Sequence, residues 1–250
     1  QSVLPKAKLG VKTAQKAIRD ETSDARNAAY SKAYESEIDL FSDEGQTLFS
    51  MQKRLNPSTV SAAKRLAREE GKLSDFAQSY RVPAPTAEDP LATEVVQMPT
   101  VRGWDYITRS LNDVAYGAEG RGSMGGFTQK GLSAKKLSQE VRDTLASAAP
   151  EYGEALKIAA DPIVRTQGVK LGSNILNDRT SLEEVVDWVE GRTEKEMDAV
   201  REGLAIEINN VISKVKKSLA APDMDEARSA TALFKKLSSD NSLSKLRTIM

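Results

Sequence analysis

The strongest constraint on the fold of this chain is one apolar stripe near its carboxyl end. Between residues 194 and 219, apolar side chains recur every three or four positions: Met197, Val200, Leu204, Ile208, Val211, Val215 and Leu219. This spacing places them on one face of a single α-helix of about 26 residues, or about 39 Å at 1.5 Å per residue. Such a helix needs a partner to cover its apolar face, so the stripe predicts helix-on-helix packing.

Signals for helix boundaries recur along the rest of the chain. Capping residues followed by proline, or by glutamate three positions later, occur at four places: Asn56-Pro57, Asp161-Pro162, Ser181 with Glu184, and Thr193 with Glu196. Gly71 predicts the end of the helix that begins at the first of them. The short run 93–98 is β-prone and lies between prolines. We therefore predict an all-α chain, an elongated assembly of amphipathic helices with Gly/Pro-rich breaks and little or no β-structure.

These breaks divide the chain into four predicted regions. Residues 1–81 form an N-terminal helical region, and 82–99 form a proline-rich extended linker that lies against the helices. Residues 100–160 form a helical hairpin around the glycine-rich loop 117–126. Residues 161–250 form a C-terminal helical region. Prolines in the linker remove amide donors and hold that segment away from helix.

Composition excludes several classes of function. Lys+Arg and Asp+Glu both number 36, so the chain lacks the basic surplus that a dedicated duplex-binding protein needs. It contains no cysteine and no histidine, which rules out Cys/His zinc sites and Ser-His-Asp catalysis. No apolar run reaches the length of about 18 residues expected of a membrane-spanning helix. We therefore predict neither a stable transmembrane span nor a small-molecule substrate.

Charge is distributed unevenly. Residues 1–34 carry a basic surplus and residues 182–207 an acidic one, a pattern that suits helix pairing between copies or domains as well as ordinary solvated faces. The basic N-terminal positions are the candidates for non-specific contact with nucleic acid: Lys6, Lys8, Lys12, Lys16 and Arg19.

Three aromatic residues are the candidates for protein–protein interaction: Trp104, Tyr106 and Trp188. Aromatic side chains anchor interfaces, but they also anchor cores. The chain is only 5% aromatic and has two tryptophans. Trp188 has valines on both flanks. We therefore favour a core position for each tryptophan over an interface.

Two motifs suggest catalysis or cofactor binding, and neither has the required context. Residues 120–125 match the dinucleotide-binding glycine pattern, but that pattern needs a preceding strand and a helical segment precedes it here. Glu35-Ser36 resembles the Glu-Ser pair of lytic transglycosylases, yet the motifs that accompany that pair are missing. We therefore assign no catalytic, cofactor-binding or metal-binding residue, expect no cofactor, and predict that this segment is not an enzyme.

An ordered series of short segments carries a family resemblance. The segments are Trp104–Asp113, Leu137–Asp143, Ala148–Ala155, Asp161-Pro162 and Arg201–Leu204, together with Arg26–Tyr34 and Ala62–Gly71. The series resembles helical parts of the very large internal virion proteins of tailed bacteriophages and prophages, which are linked to genome ejection. The resemblance implies a segment of a longer polypeptide that assembles with copies of itself and with other virion proteins.

The same resemblance implies a location and leaves alternatives open. We expect the chain in the virion, at the capsid interior, portal or tail, and in the host envelope after ejection. One alternative is a static tail- or portal-associated structural protein. Another is a non-catalytic helical part of a larger murein-degrading virion enzyme. No residue with a catalytic role is implied.

Overall fold

A computed structural model describes residues 10–122, 126–177 and 179–220, and beyond these 228, 231–232, 235 and 238–250. The helices are α1 Val11–Glu21, α2 Ser23–Tyr34, α3 Asp43–Arg54, α4 Pro57–Glu69, α5 Val101–Tyr116, α6 Gln129–Ala148, α7 Pro150–Asn174, α8 Leu182–Val189, α9 Glu194–Ala220 and α10 Asp240–Ile249. A 3-10 helix covers Leu73–Phe76, and the strands are β1 Gln78–Pro83 and β2 Thr93–Met98. Within this described part, β-structure is limited to one two-stranded sheet and an isolated bridge, which confirms the all-α class.

Most predicted helix starts are confirmed by hydrogen bonds. The Asn56 side chain accepts from the Ser58 amide at 2.9 Å, directly before α4. Thr193 and Glu196 form a reciprocal capping box: the Thr193 amide donates to the Glu196 carboxylate at 2.7 Å, and the Glu196 amide donates to the Thr193 hydroxyl. Gly71 follows α4 with φ +69°, as expected of a residue that ends a helix.

The predicted helix start at Asp161-Pro162 is wrong. Both residues lie inside α7, which runs without interruption from Pro150 to Asn174. Pro150 takes the first-turn position instead, directly after α6 ends. Proline is costly inside a helix because it removes one backbone donor, yet α7 continues through Pro162, which is itself buried.

The predicted linker 82–99 is only partly a linker. Val82 and Pro83 belong to β1, which pairs antiparallel with β2 from Gln78 opposite Met98 to Pro83 opposite Thr93. The remaining prolines fall in the connection 84–92 or after Met98, so they interrupt no pairing. The error came from the polar start of β1, which lacks the β-branched residues that mark a strand.

The chain forms two compact units, whose limits differ from the four predicted regions. The central unit comprises Ala25–Ile158, and the terminal unit comprises the residues up to Asp24 together with Ala159–Met250. Region 1–81 is therefore divided, because Ala14 and Ile18 of α1 are buried in a cluster with residues of the terminal unit. The predicted boundary at 160 falls within two residues of Ile158.

The central unit has one apolar core. Trp104, Ile107 and Leu111 of α5 are buried with residues of α3, α4, α6 and the two strands β1 and β2. The turn that leads from α5 to α6 is tightly packed, since a Cβ atom built on Gly131 would lie 2.1 Å from the Gly120 carbonyl oxygen. The described part of the glycine-rich loop thus allows the backbone at Gly120 to lie close to the backbone at Gly131.

The terminal unit confirms the apolar stripe of α9. The side chain of Leu219 lies outside the described residues. Of the other six positions, five are buried, namely Met197, Val200, Leu204, Val211 and Val215, and Ile208 is partly buried. Ile175, which directly follows α7, covers part of this stripe together with residues of α8 and α10, among them Val185 and Ile249.

Candidate functional site

A buried carboxylate is the most unusual polar group of the central unit. Asp105 lies in the first turns of α5, between Trp104 and Tyr106, and is only 6% exposed. The hydroxyl of Thr100 caps this helix by accepting from the Gly103 amide at 3.2 Å, which fixes where α5 begins. A carboxylate in such a position is costly unless all its oxygens are paired.

Three donors from different parts of the chain satisfy Asp105. The hydroxyl of Tyr34, at the end of α2, donates to Oδ2 at 2.9 Å. The hydroxyl of Tyr152, in the first turn of α7, donates to Oδ1 at 2.9 Å. Arg109 lies one turn further along α5, and its Nε is 2.9 Å from Oδ2. The carboxylate therefore joins three helices through two phenols and one guanidinium.

A second carboxylate extends the network toward the surface. The Tyr106 hydroxyl donates to Glu70 at 2.6 Å, just past the end of α4. Arg109 donates from Nη1 to the same carboxylate at 3.4 Å and from Nη2 to the Tyr34 hydroxyl at 3.4 Å. We call Tyr34, Glu70, Asp105, Tyr106, Arg109 and Tyr152 the tyrosine–carboxylate cluster.

The phenols of this cluster remain protonated donors well above neutral pH. Burial, and then the charge of Asp105, raises the pKa of both Tyr34 and Tyr152. Burial and the hydrogen bond to Glu70 raise the pKa of Tyr106 to about 12. The direction follows because an ionised phenolate would lose solvation and face a negative carboxylate.

A cavity of about 340 Å³ lies beside the cluster. Its lining residues are Asn27, Tyr30, Ser31, Tyr34, Glu70, Lys72, Arg102, Tyr106 and Arg109. The guanidinium of Arg102 lies over the ring of Tyr34, 4.7 Å from its centroid. Positive groups outnumber negative ones among these residues, so the arrangement suits an anionic group.

Two of the three aromatic candidates are buried in the core of the central unit. Trp104 is fully buried in the central core, and Tyr106 is 1% exposed with its hydroxyl on Glu70. Their burial within the unit does not fit an interface anchor. Trp188 lies in the terminal unit, half-buried against the core there, with Arg192 over its ring at 4.8 Å.

The nucleic-acid candidates are placed only in part. Lys6 and Lys8 lie outside the described residues. Lys12, Lys16 and Arg19 are exposed on α1, and their spacing puts them on one side of the helix, away from the buried Ala14 and Ile18.

Sequence reasoning missed the cluster itself. The signal was present in Asp105 and Arg109, an i,i+4 ion pair on α5, and in Tyr30 and Tyr34 at the same spacing. Nothing local linked these to Tyr152, which is 47 residues from Asp105.

Within the described part of the chain, no helix has the length and apolar character needed to cross a membrane. No group of three or more acidic side chains is gathered there as a metal site would require.

Among known proteins, no family model, curated protein or solved structure matches the chain.

Proposed function

We propose that this chain is a non-catalytic helical segment of a bacteriophage internal virion protein of the ejection type. In this role it assembles with other virion proteins and with copies of itself to help deliver the genome. The proposal rests on the resemblance of its ordered segments to such proteins, and on where those segments meet in the folded chain.

One observation carries the proposal. Four of the resembling segments each contribute to the tyrosine–carboxylate cluster: Arg26–Tyr34 gives Tyr34, Ala62–Gly71 gives Glu70, Trp104–Asp113 gives Asp105, Tyr106 and Arg109, and Ala148–Ala155 gives Tyr152. A fifth segment joins them, because Ser138 donates to Asn112 at 2.8 Å. Segments that converge on one hydrogen-bonded network are expected if they specify a common structural core.

The cluster favours a structural role over a catalytic one. Both oxygens of Asp105 already accept from phenols or from Arg109, and Glu70 accepts from Tyr106. A general acid or base needs a proton that it can exchange with a substrate, whereas these groups are occupied by one another. Mutual satisfaction is the arrangement expected of a network that specifies packing.

The architecture also suits a protein that passes through a narrow channel. Hydroxyl or amide caps mark the starts of α3, α4, α5, α6, α8 and α10. Each of these helices therefore carries its own start signal, so its secondary structure is able to reform locally before tertiary contacts return. Threading of this kind is part of the proposal.

Quantitative mass spectrometry of purified virus particles tests the proposal. DNA-filled particles are compared with the same particles after triggered genome release. We expect peptides of this chain to be abundant in full particles and depleted in empty ones. Equal abundance would favour the static tail- or portal-associated alternative, and absence from both would reject the virion role.

A longer parent polypeptide with a murein-degrading domain is the remaining alternative. The size of the polypeptide that carries these peptides in full particles distinguishes it. A band much larger than 27.2 kDa that also degrades purified murein would place this segment in such an enzyme. A band without that activity would leave the assembly role.

A further inference from the structure

Arg102 has a guanidinium with unused donors. It lies in the first turn of α5, stacked over the Tyr34 ring, with its side chain 26% exposed. Its ion pair with Asp75 is 3.6 Å long, and no hydrogen-bond acceptor for Arg102 occurs in the described part of the chain. The nearby Arg109 differs, because its Nε, Nη1 and Nη2 all face acceptors of the cluster.

Lys72 brings a second cation to the same cavity. It follows Gly71, whose positive φ turns the chain at the end of α4, and its amide donates to the Ala67 carbonyl at 2.7 Å. This bond fixes the backbone from which the side chain reaches the cavity. The ammonium group has no acidic partner among the described residues.

Asp75, which lies outside the lining, partly balances Arg102, whereas no lining group balances Lys72. Glu70 is the acidic residue of the lining, and it already accepts from Tyr106 and Arg109. Asn27 and Ser31 add an amide and a hydroxyl from α2. The cavity thus combines an open guanidinium, an ammonium and neutral donors, with an aromatic ring that holds the guanidinium plane.

We propose that this cavity binds a small oxyanion, a carboxylate or a phosphate group, between Arg102 and Lys72. A planar guanidinium with free donors binds two oxygens of such a group at once, and an ammonium adds a point charge. The cavity volume of about 340 Å³ lies at the lower end of the range for small-ligand sites. This site goes beyond the proposed virion role and does not depend on it.

The test is an NMR titration of the whole chain, with inorganic phosphate in one arm and acetate in the other. Sodium chloride keeps the ionic strength constant, so that general screening is the same at every point. We expect saturable shifts of the Arg102 Nε–H and of amides near Lys72. Saturation by phosphate alone identifies a phosphate site, and saturation by acetate alone identifies a carboxylate site. Either result supports the proposal.

Variants then locate the binding. We expect Arg102→Gln and Lys72→Gln each to lower the affinity for the saturating anion by about tenfold, as for the loss of one charge-assisted contact. Arg68→Gln, an exposed change on α4 outside the cavity lining, is the matched control and is expected to bind as the parent does. Lys72 is also exposed, so its replacement tests the site without a risk to folding.

Three results would overturn the proposal. The first is the absence of saturation by either anion. The second is an affinity in Lys72→Gln equal to that of the parent chain. The third is an equal loss in Arg68→Gln, which would mean general attraction to a basic surface. None of these results bears on the particle measurements above, so the two proposals fail separately.

Discussion

Gly172 of α7 lies directly against the backbone of Val200 in α9. A Cβ atom built on Gly172 would be 2.0 Å from the Val200 carbonyl oxygen and 2.8 Å from the Leu204 amide nitrogen. The contact is reciprocal, because a Cβ on Gly203 would be 2.1 Å from the Val169 carbonyl oxygen. Two glycines, one on each helix, therefore allow α7 and α9 to approach with backbone against backbone.

This contact predicts opposite effects for two glycine substitutions on one helix. We expect Gly172→Ala to lower the free energy of unfolding of the terminal unit by about 1–3 kcal/mol, because the methyl group meets rigid backbone. Gly153→Ala is the matched control on α7: its Cβ would lie 3.5 Å from the nearest atom, an ordinary contact. Helix propensity should make that variant more stable by about 0.5–1 kcal/mol. Urea unfolding measures both, and equal effects would contradict the close approach.

The buried carboxylate predicts a second pair of effects on α5. We expect Asp105→Asn to destabilise the central unit by about 2–3 kcal/mol, since it removes a charged acceptor from Tyr34, Tyr152 and Arg109. The estimate is moderate because Arg109 is half exposed and regains water. Asp113→Asn, an exposed change on the same helix, should shift stability by less than about 0.5 kcal/mol. An Asp105 variant as stable as the control would argue against the network.

The phenols predict a loss of stability at alkaline pH. In the unfolded chain tyrosines ionise near their ordinary pKa of 10.0, whereas Tyr106 in the folded chain keeps its proton up to about 12. The unfolded state therefore releases protons that the folded state retains, and the free energy of unfolding falls as pH rises above about 10. Below that pH this contribution is fully present, and the chain has no histidine that would titrate near neutrality.

Urea midpoints between pH 7 and 11.5 measure this dependence. We expect Tyr106→Phe to be less stable at pH 7, because its Glu70 hydrogen bond is lost, yet to show a shallower decline above pH 10. Two curves that stay parallel over the whole range would mean that Tyr106 does not take part in the alkaline transition.

The two compact units predict more than one unfolding event. Each unit has its own buried clusters, so destabilising one should leave the other protected. Hydrogen exchange measured by mass spectrometry is expected to show faster exchange in α9 but not in α5 for Gly172→Ala, and the reverse for Asp105→Asn. A single cooperative, highly stable transition would contradict this expectation and also the threading part of the proposed function.

Local sequence signals predicted the helices well but failed where tertiary contacts override them. The stripe of α9 and the caps at Asn56 and Thr193 depend on residues only a few positions apart. They can therefore be predicted from the local sequence alone. Pro162 carries the local signature of a helix start, and only the packing of α7 makes it an interior residue. The strand Gln78–Pro83 is recognisable mainly through its partner β2.

The candidate site was less predictable than the fold. Asp105 and Arg109 are neighbours on one helix, but Tyr34 and Tyr152 reach them from 71 and 47 residues away. A single sequence does not show which distant hydroxyls will meet a carboxylate. The core position favoured for Trp104 agrees with its burial, and Tyr106 is buried as well.

The tyrosine–carboxylate cluster also determines which wrong structures are disfavoured. If α2 slipped by one helical turn, about 5.4 Å, the Tyr34 hydroxyl would leave Asp105, and the buried carboxylate would lose one of its hydrogen-bond donors. An apolar contact of the same size would tolerate the slip, because one methyl group replaces another at little cost. We therefore expect the cluster to fix the alignment of α2 against α5, because a misaligned α2 leaves the buried charge with fewer partners. This effect does not require the cluster to add much net stability. If the chain passes through a channel as proposed, the same contacts would select one alignment when it folds again.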